Sequence, residues 1–122
     1  MMSPTWPART EWYFPDAYLP ETSNGISHES LCVLNLADAD AKIALTFYYE
    51  DRAPLLGYVA GCPSKRTKHI RLDRLQDMDG RPLQQCVPYA IHVSSNVPIF
   101  CQYTRVDATV PSYALMTAMG LG

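Results

Sequence analysis

No stretch of this 122-residue chain approaches the roughly 18 consecutive apolar residues that a membrane-spanning helix needs. Its first residues, Met1 to Pro7, hold no apolar run of the signal-peptide kind, so the expected location is the cytoplasm. Charge of one sign is missing too: ten Lys and Arg stand against twelve Asp and Glu, a net charge of −2. That balance gives no general pull toward nucleic acid or an anionic membrane. Cys32, Cys62, Cys86 and Cys101 include no C-x-x-C pair, and all four read as reduced structural residues. His28, His69 and His92 have no second histidine at i+2 or i+4, so neither a metal nor another cofactor is expected. A G-x-S-x-G elbow is absent, and Asp38 and Asp40 lack the glycine and closing glutamate of a calcium loop. Nothing in these patterns demands catalysis, and a non-enzyme is expected.

Proline, by contrast, is plentiful. Ten in 122 residues is about 8%, against about 5% in ordinary domains. Each removes a backbone donor and clashes with a preceding helical turn, which disfavours a helix bundle. The segments between the prolines alternate with a period of two. In Lys42–Tyr49, Ile43, Leu45, Phe47 and Tyr49 share one face, and Lys42, Ala44, Thr46 and Tyr48 the other. Ser30–Leu36, Leu56–Ala60, Lys65–Leu72, Tyr89–Ser94 and Val97–Asp107 read as further strands. Ala37–Ala41 then joins the first two as a hairpin, and Ser95-Asn96 joins the last two. Pro98 marks an edge or a bulge. Six or seven strands with turns every 8 to 12 residues predict an all-β domain, a single jelly-roll-like β-sandwich. Residues 1–11 are expected as an extension, 12–110 as the sandwich, and 111–122 as a short C-terminal tail or helix, with Pro111 fit to start a helix and Gly120 to stop it.

Five pieces in order carry a resemblance: Trp12 through Tyr18-Leu19-Pro20; Ile26-Ser27-His28-Glu29 with Leu34-Asn35; Arg66-Thr67-Lys68-His69-Ile70-Arg71; Ser95-Asn96-Val97-Pro98; and Gln102, Thr104-Arg105 and Asp107. In this sequence and spacing they resemble the sensory rhodopsin transducer family, from about Trp12 to Met119. Met1–Pro7 and the loop Asp77–Cys86 are the least family-like parts. The resemblance implies a small β-sandwich akin to carbohydrate-binding modules, with a mobile C-terminal segment, assembled as a symmetric homotetramer in the cytoplasm. It also implies a partner, either a microbial sensory rhodopsin or, for relatives without one, a sugar or other small metabolite.

The residues themselves offer one polar constellation: His28, Glu29, Arg66, His69, Arg71, Gln102, Arg105 and Asp107. Arginine forks, carboxylates and a carboxamide suit the hydroxyls or carboxylates of a small polar ligand. Trp12, Tyr13, Tyr48, Tyr49 and Tyr103 can supply flat faces for stacking on a sugar ring. The competing reading is a buried ion-pair network at a tetramer interface, with Glu29 or Asp107 against Arg71 or Arg105. Lys65, Arg66, Lys68, Arg71 and Arg74 crowd into ten positions, but they alternate between strand faces. Lys65 and Lys68 therefore read as edge-strand protection more readily than as a nucleic-acid patch. A non-catalytic signalling or adaptor module is the expectation. A phototransducer docked on a rhodopsin is the alternative, and a nucleic-acid-binding regulator ranks below both.

Overall fold

The computed structural model of the chain describes residues 8–19, 28–77, 79–84, 86–107 and 114–119, with only the backbone of 106–107 and 114–119 described. Among these, seven strands form: β1 (Arg9–Tyr18), β2 (His28–Asn35), β3 (Ala41–Tyr49), β4 (Leu55–Cys62), β5 (Arg66–Arg71), β6 (Pro88–Asp107) and β7 (Ala114–Met119). A 3-10 turn at Leu72–Arg74 follows β5. The alternation in the sequence sets which residues turn inward. Glu29, Leu31, Val33 and Asn35 of β2 are buried, as are Ala41, Ile43, Leu45 and Phe47 of β3.

β6 is shared between two sheets. Its first half pairs with β1 (Trp12↔Val93, Phe14↔Ile91) and with β3 (Leu45↔Val93, Phe47↔Ile91). Its second half pairs with β2 (Leu31↔Tyr103, Val33↔Cys101) and with β7 (Gln102↔Met119, Arg105↔Met116). β4 then extends one sheet beyond β3, and β5 extends the other beyond β2. The chain therefore folds as a β-sandwich. Its core holds Trp12, Phe14, Leu31, Phe47, Tyr58, Tyr89, Ile99 and Tyr103. Phe47 meets Tyr58 and Tyr89 edge-on at centroid distances of 5.0 and 5.6 Å, the geometry that ring quadrupoles prefer.

Four expectations change. Ser95-Asn96 does not separate two strands, because β6 runs unbroken through it. Residues 96–98 do lie where neither β2 nor β3 pairs and where the β1 ladder slips register, so Pro98, having no N–H, sits at an irregularity as expected. Ala37–Ala41 is not a hairpin. β2 and β3 pair with successive halves of β6 instead of with each other, so this connection turns a corner between sheets. Arg9–Tyr18, unread in the sequence, is a strand, with a register slip at Pro15-Asp16. Ala114–Met119 is not a helix but an extended strand on β6; residues 111–113 and 120–122 lie outside the described residues.

The corner is held by Asn35, which is fully buried. Its amide donates to the carbonyls of Ala39 and Cys62 at 3.0 Å each, and its Oδ1 accepts from the Ala37 N–H at 2.9 Å. The Asp40 carboxylate accepts from the Ser64 N–H at 2.9 Å, which ties the corner to the β4–β5 turn. Asn35→Ala leaves these backbone groups without their partner. It is expected to cost about 2–3 kcal/mol, read as a lower urea midpoint, whereas Leu56→Ser at a 69% exposed position stays within about 0.5 kcal/mol.

Candidate functional site

Strand parity divides the polar constellation between the two faces of one sheet. Residues opposite each other in a ladder share a face. Glu29 lies opposite Arg105 and turns inward, while Cys32 lies opposite both His69 and Gln102 and turns outward. The outward set is thus His28, His69, Arg71 and Gln102, and the inward set is Glu29 and Arg105 together with Trp12 of the facing sheet. Arg66 opposes Asn35 at the exposed end of β5 and donates to the neighbouring Lys65 carbonyl. The Asp107 side chain lies outside the described residues.

Of the outward set, His69 and Gln102 line a shallow cavity of about 310 Å³ across β5, β2 and β6, and His28 and Arg71 lie outside its lining. Two cross-strand rows line it, His69–Cys32–Gln102 and Thr67–Leu34–Phe100, while the row Arg71–Ser30–Thr104 on the other side of His69 does not. Strands lie about 4.8 Å apart and alternate residues about 7 Å, so His69 and Gln102 stand about 10 Å from each other, beside an apolar row of similar width. An imidazole and a carboxamide flanking a floor of Leu34 and Phe100 suit a small ring with polar substituents. Arg71 is less available. Its guanidinium grips Asp73 with two hydrogen bonds of 2.7 Å, which also raise its already high pKa.

The inward set is a different chemistry. The Glu29 carboxylate is fully buried and accepts hydrogen bonds from the hydroxyls of Tyr89 and Tyr103 and, at 3.0 Å, from the Tyr18 N–H. Arg105 donates to the Tyr18 carbonyl at 3.3 Å, with its guanidinium 6.0 Å from the Tyr18 ring centroid. Burial pushes the Glu29 carboxyl up to about 8, against the Tyr18 hydrogen bond and the Arg105 charge, which favour the anion; Asp73 raises it further. Two phenols and a backbone amide donate to the carboxylate, the Arg105 charge acts on it, and Arg71 is engaged with Asp73. The sequence reading missed Tyr89 as a partner, because its separation from Glu29 along the chain conceals the contact.

The aromatic residues expected to stack on a sugar do not gather at the groove. Trp12 is 7% exposed and donates its indole N–H to the Ile99 carbonyl at 2.8 Å, and Tyr103 is buried. Tyr13 and Tyr48 are exposed on the other sheet, where Tyr13 stacks on His92 at 4.8 Å and His92 meets Glu11 at 3.0 Å. Cys32, Cys62, Cys86 and Cys101 form no disulfide, and burial pushes the Cys101 thiol up to about 12. Among the described residues no three His, Cys, Asp or Glu side chains converge as a metal site would require.

The two faces respond differently to truncation. His69→Ala and Gln102→Ala lie on the open face and are expected to stay within about 0.5 kcal/mol of the parent in urea denaturation. Tyr103→Ala opens the core and strips a donor from Glu29, and is expected to cost about 3–5 kcal/mol in the same measurement.

Comparison with known proteins covers almost the whole chain. The "Anabaena sensory rhodopsin transducer" family matches residues 8–122, leaving out the N-terminal stretch that the sequence marked as least family-like. No curated protein matches. The chain is similar to the crystal structure of Thermotoga maritima 1070, at 35% identity and a TM-score of 0.80, covering 93% of this chain and 94% of that one. It is also similar to the solved Anabaena sensory rhodopsin transducer, at 39% identity and a TM-score of 0.71 over 79% of this chain and 86% of that one. With the sandwich, the ordered signature residues and these matches in place, the chain belongs to the sensory rhodopsin transducer family.

Proposed function

We propose that this protein is a non-catalytic, cytoplasmic signalling or adaptor module that takes a small polar, carbohydrate-like ligand in the groove across β5, β2 and β6 and passes its occupancy to a partner protein. The observation that carries this reading is the row pattern of the open face: His69 and Gln102 bracket Cys32 beside the apolar row of Leu34 and Phe100. Polar groups that fix orientation next to an apolar floor are the composition of small-ligand sites. Family membership supports the transducer role, and a homotetramer is the assembly proposed with it.

A second reading has its own support: a solved relative at 39% identity bears the name sensory rhodopsin transducer, which favours a rhodopsin as the receptor here. A nucleic-acid partner is less favoured. Within the basic cluster, Lys65 bonds the Leu36 carbonyl at 2.6 Å and lies 3.5 Å from Asp38, and Arg71 is held by Asp73. Two of the five cations are thus already engaged with the protein's own oxygens, which lowers the counterion release that phosphate binding brings.

A thermal-shift screen of sugars and metabolites tests the ligand reading. A ligand of the folded state at about 100 times its Kd adds about 2.7 kcal/mol. The expected result is a hit that His69→Ala or Gln102→Ala abolishes without lowering the unliganded Tm. A library without hits, alongside saturable binding to rhodopsin-containing vesicles, would replace the ligand reading with the receptor reading.

A further inference from the structure

We propose that Glu29 is a proton-binding site built into the sandwich, a latch that joins the end of β1 to both halves of β6 and changes its hydrogen bonding when it gains or loses one proton. The geometry carries this. The carboxyl is fully buried, and its three hydrogen-bond partners, the Tyr89 hydroxyl, the Tyr103 hydroxyl and the Tyr18 N–H, all act as donors. Three donors suit an anion, which offers only acceptors. A protonated Glu29 brings a fourth hydrogen into the same space, so one phenol must turn to accept it. The Tyr18 N–H has an alternative acceptor ready, since the Tyr103 hydroxyl oxygen lies 3.3 Å away. Two hydrogen-bond arrangements of one set of groups are thus available, the requirement for a two-state element.

The charged and titratable groups around the carboxyl pull in both directions. Arg105 of β6 favours the anion, and Asp73 of the 3-10 turn opposes it. Tyr49 of β3 feels the Glu29 charge, and Asp16 of β1 acts on Tyr103. Burial outweighs the anion-favouring contacts and pushes the carboxyl up to about 8, against an ordinary 4.5. The sign of the stability effect follows from proton counting. Between these two values the folded chain holds a proton that the unfolded chain has released, so raising the pH through this window favours unfolding. The unfolding equilibrium constant rises by up to about tenfold per pH unit, and the effect levels off above the folded value. Below the ordinary value both states are protonated and the contribution is constant. This device stands whether or not the outward groove takes a ligand.

The test is an NMR titration of the full chain, carboxyl-labelled at glutamate, from pH 5 to 9.5. The expected result is a Glu29 carboxyl midpoint near 8, with the Tyr18 amide and the Tyr89 and Tyr103 ring signals moving on the same midpoint. In Glu29→Gln that shared transition disappears, and the fall of Tm with pH between 5 and 8 flattens. A Glu29 midpoint at an ordinary glutamate value overturns the proposal, and so does a Glu29 titration that leaves the Tyr18 amide still. Should Glu29→Gln fail to fold, the titration of the unmodified chain decides alone.

Discussion

β6 is one strand of twenty residues that must satisfy two sheets, and the rest of the sandwich is arranged around that demand. From Pro88 to Ser95 its backbone groups are claimed by β1 and β3, and from Phe100 to Asp107 by β2 and β7. The passage between, at 96–98, is where neither β2 nor β3 pairs, and it is here that a proline costs no ladder hydrogen bond. Asn96 steadies the passage, accepting from the Lys42 N–H through its side-chain oxygen at 2.6 Å. Beside it, Asn35 supplies the hydrogen bonds that let the chain step from β2 to β3. A strand that changes sheets removes the need for a long crossover, because its partners change with it.

Glu29 sits where the two halves of this arrangement meet. Its two phenol partners come from the two halves of β6, Tyr89 from one sheet and Tyr103 from the other, and its third partner is the last residue of β1. A buried carboxylate is expensive to desolvate, and an apolar residue of similar volume would often be as stable. What it provides instead is direction: three donors meet at one point only when β1, β2 and both halves of β6 are in register. The same group makes the contact responsive to protons.

The two faces of the β5–β2–β6 sheet divide the work. The inward face carries the hydrogen-bonded latch and the apolar core, while the outward face carries polar and apolar rows with little structural duty. Such a division suits a transducer module: an open face can change its occupant without disturbing the core, and a latch at the sheet junction is in reach of both halves of the molecule.

The period of two was legible in the residues themselves. Ile43, Leu45 and Phe47 turn inward and Lys42, Ala44 and Tyr48 outward because backbone pleating leaves no other choice. The same rule placed His69 with Arg71 and opposite to Ile70, and proline density excluded a bundle. Pairing was not legible. Ala37–Ala41 has the composition of a hairpin, yet hydrogen-bond demand from β6 separates β2 from β3, a contact between residues far apart in the chain. Arg9–Tyr18 escaped notice because Pro15 and Asp16 break its alternation at a register slip. For the site, the residue types were present in the sequence but their company was not. Alternation alone says that Glu29 and Cys32 lie on opposite faces, and only the packing of one sheet on the other decides which face is buried. Tertiary structure therefore converted one list of polar residues into an open groove and a buried proton-sensitive contact, because burial is a property of the sandwich and not of any strand within it.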